Sequence, residues 1–246
     1  MITAYHRPKT LEEALSLLAQ PGRLPLGGGT LLSHGTSDPV EVVDLQALGL
    51  DQITHKGNDL EIGAAVTLQE LMESGDCPAA LKDALRLEAP LNVRNAATVA
   101  GTLVSADGRS PFAACALALD AKLSIGGDKA QTLGIGEYLP LRPRGLIIAI
   151  SIPLNARLAF EGVARTPSDK PFISVAAARW PSGRTRMTVG GFGRNPSLGM
   201  DGTESEGLES AARNACHESG DEFASAEYRM ETAATLAKRC LGRIQA

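Results

Sequence analysis

Two glycine-marked loops constrain the fold of this chain more than any other feature. The first is Leu26-Gly27-Gly28-Gly29-Thr30, and the second is Thr98-Val99-Ala100-Gly101-Thr102. Each follows an apolar stretch, and we expect each to present backbone N–H groups that no side chain covers, as a phosphate site requires. A single glycine run is more often a turn or a flexible linker. Two such loops in one domain instead indicate a dinucleotide site.

The composition is that of a globular protein that binds small molecules or other proteins. The chain has 246 residues, of which 43% are hydrophobic, and its formal net charge is −4. This length suits one large domain or two modest ones. The acidic balance, without any Lys/Arg run, argues against nucleic acid and against an anionic membrane surface. Since no apolar run approaches the roughly eighteen residues that span a bilayer, and no signal-peptide core is present, we expect no membrane insertion and a cytoplasmic location.

The cysteines are expected to be free thiols. They are Cys77, Cys115, Cys216 and Cys240. They form no C-x-x-C pair, and none stands beside a histidine at the spacing of metal ligands. An iron–sulfur or zinc centre within this chain is therefore not expected.

Helix and strand signals alternate through the first 155 residues. Thr10 and Glu13 have the spacing of a capping box at the start of an amphipathic helix, and Thr67 and Glu70 repeat that spacing. Further elements are predicted as follows: strands at 24–26, 41–45, 122–125 and 146–153, a hairpin turn at 56–59, and helices at 77–89 and 112–119. The pattern is typical of two subdomains, at about 1–52 and 53–155.

The last part of the chain, 156–246, changes character. Three strands are predicted, at 158–164, 173–179 and 185–189, and two helical stretches follow. The final helix places an apolar face, which includes Ala233, Ala237 and Cys240, where it would pack on a sheet. We therefore expect a small α+β domain with a three-stranded antiparallel sheet and helices.

These residues carry a family resemblance that extends over nearly all of the chain. Residues 26–32 resemble an A-G-G-T-x-L-L loop, and residues 89–102 are similar to an A-x-x-x-x-R-N-x-A-T-x-G-G-N/S segment. Residues 116–121 and 225–230 resemble two helices of the same family. The family is the FAD-binding medium subunit of the molybdenum hydroxylases, which include xanthine, aldehyde and carbon monoxide dehydrogenases. Matches in the same order along the chain are more specific than either loop alone.

The resemblance implies a fold and a role. The fold would be α+β, with a two-part FAD-binding domain of the vanillyl-alcohol-oxidase or PCMH type at 1–155 and the small domain at 156–246. The role would be that of a flavin subunit, which passes electrons from [2Fe-2S] clusters through FAD to a final acceptor. The molybdenum cofactor would lie on a large subunit and the [2Fe-2S] clusters on a small subunit, and the complex would be a dimer of heterotrimers.

The resemblance also implies which residues bind FAD. From the first loop these are Gly27, Gly28, Gly29, Thr30 and Leu31; from the second segment they are Thr98, Ala100, Gly101, Thr102, Ser105 and Asp107. Ile147 would lie against the isoalloxazine ring, and Asp169 would approach the flavin from the C-terminal domain.

Two positions depart from the family pattern. Ala100 stands where the family has a glycine, and Pro111 stands where an aspartate that contacts FAD is common. Proline supplies neither a carboxylate nor an N–H donor. These departures leave open a non-catalytic assembly subunit that has lost FAD. A stand-alone flavin oxidase is a third alternative, which the small C-terminal domain disfavours because it leaves little room for a substrate pocket.

Overall fold

The computed structural model describes residues 1–34, 38–127 and 130–245, except the side chain of His34. The strands are β1 (Ile2–His6), β2 (Arg23–Leu26), β3 (Val40–Asp44), β4 (Ile53–Lys56), β5 (Asp59–Gly63), β6 (Lys122–Gly126), β7 (Gln131–Gly134), β8 (Leu146–Pro153), β9 (Arg157–Val163), β10 (Ile173–Arg179), β11 (Thr185–Gly190) and β12 (Ser197–Gly202). The α-helices are α1 (Leu11–Leu18), α2 (Leu68–Glu73), α3 (Ala79–Glu88), α4 (Leu91–Arg94), α5 (Val99–Ser105), α6 (Pro111–Ala118), α7 (Ile135–Leu141), α8 (Leu208–Ala215) and α9 (Ala226–Gln245). Short 3-10 turns lie at Leu32–His34 and Gln46–Leu48.

The first sheet is parallel and has the order β1-β3-β2. Helix α1 connects β1 to β2, as parallel strands require a crossover. Thr10 caps α1, because its side-chain oxygen accepts a hydrogen bond from the Glu13 amide at 3.2 Å. The predicted capping box is only half formed, since the Glu13 carboxylate accepts from the Lys9 amide instead of the Thr10 amide.

The second sheet is antiparallel and has the order β4-β5-β8-β6-β7. The predicted hairpin joins β4 and β5, and the predicted buried strand is β8 at the centre of the sheet. The capping box at α2 is complete, since Thr67 and Glu70 each accept from the other's amide. Helix α5 packs on β8, and buried side chains of α2, α3, α5 and α6 join those of this sheet in the larger hydrophobic core.

The third sheet is antiparallel and has four strands, in the order β12-β11-β10-β9. The prediction of three strands was therefore wrong, because it lacked β12. This strand lies at the edge of the sheet, contains Gly199 and Gly202, and has no buried residue. Glycine disfavours strands, so the local pattern of β12 carries little strand signal.

Helix α6 lies between the two parts of the fold. All eight of its residues are buried, and it packs on α3 from the N-terminal part and on β10 and β11 from the C-terminal part. The Thr188 hydroxyl donates to the Ala114 carbonyl at 2.9 Å, which fixes α6 on β11. On the far side of the third sheet, α9 packs its predicted face, with Ala233, Ala237 and Cys240 fully buried.

Among the helices that the structure describes, none combines the length and the apolar character needed to cross a membrane.

Candidate functional site

The two glycine-marked loops lie in direct contact. A side chain on Gly28 would put its Cβ 1.5 Å from the Ala96 carbonyl oxygen, and a side chain on Gly27 would put its Cβ 2.9 Å from the Thr98 Oγ1. Real Cβ contacts this short do not occur. The chain therefore needs glycine at both positions to bring the first loop against the second.

The first loop leaves its amide groups free. Its conformation is held through carbonyls, because Leu26 O accepts from the Leu45 amide and Gly29 O accepts from the Ser33 amide, both at 3.0 Å. Within the described part of the chain, the amides of residues 27–30 have no hydrogen-bond partner. Successive free amides in a glycine-rich bend form a site for an anion, which is the fit that a diphosphate requires.

The second segment differs from the expectation, because its amides are already bonded. Thr98 caps α5, and its Oγ1 accepts from the Gly101 amide at 3.1 Å. The Thr102 amide donates to the Thr98 carbonyl at 2.9 Å, and the Val99 amide donates to the Val66 carbonyl at 2.9 Å. The expected backbone donors Gly101 and Thr102 are therefore used within the protein, whereas the Thr98 hydroxyl can still donate its hydrogen and accept one further hydrogen bond.

Two hydroxyls of α5 also bond to the backbone of the helix. Thr102 Oγ1 donates to the Thr98 carbonyl at 2.9 Å, and Ser105 Oγ donates to the Gly101 carbonyl at 3.0 Å. Such local bonds leave the oxygen lone pairs available but use the hydrogen. Ala100, where the family has glycine, is a buried residue, with 8% of its surface exposed.

The segment after α5 is fixed to the C-terminal part by backbone contacts. The Gly108 amide donates to the Gly193 carbonyl at 3.1 Å, and the Gly191 amide donates to the Gly108 carbonyl at 2.6 Å. A Cβ on Gly108 would lie 1.7 Å from the Phe192 carbonyl oxygen. Asp107, just before this junction, is exposed, and its Oδ1 accepts from the Arg109 amide at 3.0 Å.

Asp169 lies on the exposed loop between β9 and β10. That loop is bonded to the same segment, since the Arg109 guanidinium donates to the Lys170 carbonyl at 2.5 Å and to the Pro171 carbonyl at 3.3 Å. The structure thus brings the loop that carries Asp169 to the segment that carries Asp107.

Ile147, which the resemblance places against the isoalloxazine ring, is a buried residue of β8. Its side chain is 3% exposed and belongs to the larger core. A bulge between Ser124 and Ile125 shifts the register of β6 against β8, so that Ile147 shares a face with Ile150. The sequence pattern predicts a buried strand here, which is confirmed, but it gives no sign of this bulge.

Pro111 is the first residue of α6 and is buried. Its fixed backbone angle suits this position, and its missing N–H would have no partner in the helix. Ser110 caps the helix, because its Oγ accepts from the Ala113 amide at 3.1 Å. Proline at this position is thus explained by the start of the helix.

The sequence reasoning missed Glu88, the last residue of α3. Its side chain is 3% exposed. Its Oε2 accepts from Ser110 Oγ at 2.8 Å and from the Phe112 amide at 3.0 Å, and its Oε1 lies 2.7 Å from Lys170 Nζ. Glu88 is a charged residue at the end of an amphipathic helix, and its partners are 22, 24 and 82 positions away in the chain. The local sequence pattern carries no signal of such distant partners.

A cluster of four charged side chains lies away from the glycine loops, beside a cavity of about 690 Å³. Its members are Asp120, Arg184, Arg186 and Asp201. The hydrogen bond from Arg184 holds the pKa of Asp201 below its usual value of 3.8, and the positive charge of Arg186 acts in the same direction. None of the residues expected to bind FAD lines this cavity.

Comparison with known proteins places the chain in a family. Residues 1–155 match the family described as the FAD binding domain in molybdopterin dehydrogenase. The chain is 29% identical over 238 residues to YgfM of Escherichia coli (strain K12), with 93% of this chain and 91% of that protein covered. It is 26% identical over 273 residues to the carbon monoxide dehydrogenase medium chain of Hydrogenophaga pseudoflava, with 96% and 95% covered.

Solved structures agree with this match. The reconstituted CO dehydrogenase from Oligotropha carboxidovorans contains a chain with a TM-score of 0.84 and 25% identity, and the alignment covers 98% of this chain and 96% of that one. Quinoline 2-oxidoreductase from Pseudomonas putida 86 has a TM-score of 0.82 at 21% identity, with 98% and 96% covered, which shows a shared fold. Since the family match spans more than half of its residues, the chain belongs to the family of FAD-binding domains of molybdopterin dehydrogenases.

Proposed function

We propose that this chain is the FAD-carrying, electron-transfer subunit of a multisubunit molybdenum-containing dehydrogenase. The observation that carries the proposal is that the successive amides of residues 27–30 are free to bind an anion. The loop that presents them packs against the second segment at Gly27 and Gly28, where an added Cβ would clash. Bound FAD would supply the redox chemistry, while the protein binds and orients it.

In this proposal the two segments contribute differently. The amides of Gly28, Gly29 and Thr30 would donate to the diphosphate, together with the Thr30 hydroxyl. The second segment would contribute chiefly hydroxyl groups, from Thr98 and Ser105, because its own amides are bonded internally. Gly27 and Leu31, at the ends of the first loop, and Ala100, Gly101 and Thr102 of α5 would shape the site by close packing.

Asp107 and Asp169 would approach FAD from its other side. Both are exposed, and Arg109 ties their two segments together. A ring contact from Ile147 forms no part of the proposal, because that side chain is in the core.

The test is a flavin titration of the 246-residue chain. We expect FAD to quench in fluorescence and to bind at least about tenfold more tightly than FMN, since FMN has the same ring but only one phosphate. ADP should compete with FAD because it carries the diphosphate. Equal affinity for FAD and FMN, or no competition by ADP, would contradict a diphosphate site at the first loop.

The proposed partners are a molybdenum-binding large subunit and a [2Fe-2S] small subunit, in a dimer of heterotrimers. The similarity to a carbon monoxide dehydrogenase medium chain over 96% of this chain supports them. Purification from the native source, followed by mass identification of bound proteins and metal analysis, tests this part. Recovery of the chain alone, with neither molybdenum nor iron, would count against it.

One observation favours a second candidate, an assembly subunit that has lost FAD. The amides of Gly101 and Thr102 are bonded within the protein, so the second segment does not supply the backbone donors expected of it. In that case the titration would show no flavin binding, while the chain would still purify with its partner subunits.

A further inference from the structure

Arg142 stands out in the segment between α7 and β8. Its backbone lies in the left-handed region, with φ 43° and ψ 58°, where residues with a side chain are uncommon. Such a conformation persists only where surrounding contacts hold it.

The Arg142 guanidinium caps the carboxyl end of α5. Nη1 donates to the Leu103 carbonyl at 3.0 Å and also to the Val104 carbonyl, while Nη2 donates to the Ala106 carbonyl. The last carbonyls of a helix have no partner within the helix and carry partial negative charge. A guanidinium with several fixed donors is therefore well suited to hold this helix end.

The same guanidinium reaches the C-terminal part of the fold. Nη2 donates to Asn195 Oδ1 at 2.8 Å, in the loop between β11 and β12. That loop also meets Gly108 through two backbone hydrogen bonds. Arg142 and Gly108 thus join the same two segments, and Asp107 lies directly before the second of these junctions.

Building on the proposed function, we propose that Arg142 is a positioning residue for the flavin site. Its guanidinium fixes the end of α5 against the β11–β12 loop and thereby sets the positions of Ser105 and Asp107 relative to bound FAD. It touches neither the cofactor nor a substrate in this role.

The decisive variant is Arg142→Gly in the 246-residue chain. Glycine keeps the left-handed backbone without strain, so the variant removes the Arg142 side chain without disturbing the backbone conformation. We expect the FAD dissociation constant to rise at least about tenfold, the size of effect expected when displacement of Ser105 or Asp107 costs one hydrogen bond to FAD. We also expect the visible absorption and circular dichroism of the bound flavin to change.

Matched variants separate positioning from general stability. Arg144→Gln changes an exposed arginine two residues away that has no polar partner in the described part of the chain, and it should leave affinity and spectra unchanged. Arg142→Lys should restore part of the affinity. Asn195→Ala, which removes only the link to the C-terminal part, should alter the flavin spectra in the same direction as Arg142→Gly.

Hydrogen exchange without flavin provides a second measurement. In Arg142→Gly, amides at 103–108 and 191–195 should exchange faster than in the wild type, while those of α9 should not. Faster exchange with unchanged FAD affinity and spectra would make Arg142 a fold-stabilising residue only and overturn the inference. A wild-type chain that binds no FAD would overturn the proposed function and this inference with it. If Arg142→Gly does not fold, the flavin spectra of Asn195→Ala and Arg142→Lys test the inference instead. Spectra identical to those of the wild type in both variants would overturn it.

Discussion

Glu88 and Lys170 form a salt bridge of 2.7 Å although 82 residues separate them in the chain. The carboxylate is 3% exposed, and its other oxygen accepts from Ser110 and Phe112 at the start of α6. One carboxylate therefore connects α3, α6 and the β9–β10 loop. This loop carries Asp169, so the bridge fixes a loop that we propose to approach FAD.

Replacing Lys170 with methionine should destabilise the fold by about 2 to 4 kcal/mol, because it leaves a buried carboxylate without its positive partner. Urea unfolding measures this loss. Lys56→Met is the matched control, since Lys56 is 65% exposed and its bridge to Glu61 should contribute at most about 1 kcal/mol. Equal effects in the two variants would contradict a special role for Glu88.

Gly28→Ala should abolish flavin binding or prevent folding. The added Cβ would lie 1.5 Å from the Ala96 carbonyl oxygen, so one loop must move away from the other. Flavin fluorescence and thermal unfolding together measure both consequences. Gly75→Ala is the control, because a Cβ there meets nothing within 4 Å. Wild-type affinity in Gly28→Ala would show that the contact between the loops is not needed.

The native chain should resist thiol reagents at pH 8. All four cysteines are buried, and burial raises the pKa of Cys77 and of Cys240 to about 12 and that of Cys216 to about 11. Because the thiolate is the reactive form, native protein should be labelled slowly and unfolded protein at all four sites. Colorimetric thiol counting in buffer and in guanidinium makes the comparison. Rapid labelling of a native cysteine would contradict the packing described for it.

Asp201 should make stability fall in acid. Its pKa is lowered in the folded protein, first by the hydrogen bond from Arg184, so the stabilisation is present above the unfolded value of 3.8 and is lost as the pH falls through the folded value. Asp201→Asn should therefore reduce the loss of stability between about pH 5 and pH 2. Thermal unfolding across this range measures the slope. Glu218→Gln, at an exposed carboxylate, should leave the slope unchanged.

Local patterns were sufficient to predict most of the secondary structure. The cap at Thr67, the β4–β5 hairpin, the buried strand β8 and the packed face of α9 are all confirmed. The missing edge strand β12 shows the limit of such patterns, since its pairing with β11 and not its glycine-containing sequence makes it a strand.

The site was only partly predictable. The glycine loops were identified, and they do meet. The sequence pattern did not show that α5 begins within the second loop, where Thr98 caps the helix and uses the Gly101 amide. Arg142 and Glu88 could not be identified, because Arg142 bonds to residues 39 and 53 positions away and Glu88 to one 82 positions away.

Helix α6 is buried in part by strands that lie beyond the family match. The family match ends at residue 155, but β10 and β11, which cover one side of α6, lie beyond it. A polypeptide cut at that boundary would expose the side of α6 that includes Ala114, which faces β11, and size-exclusion chromatography should find it aggregated. The end of the family match therefore does not coincide with a border in the packing of this protein.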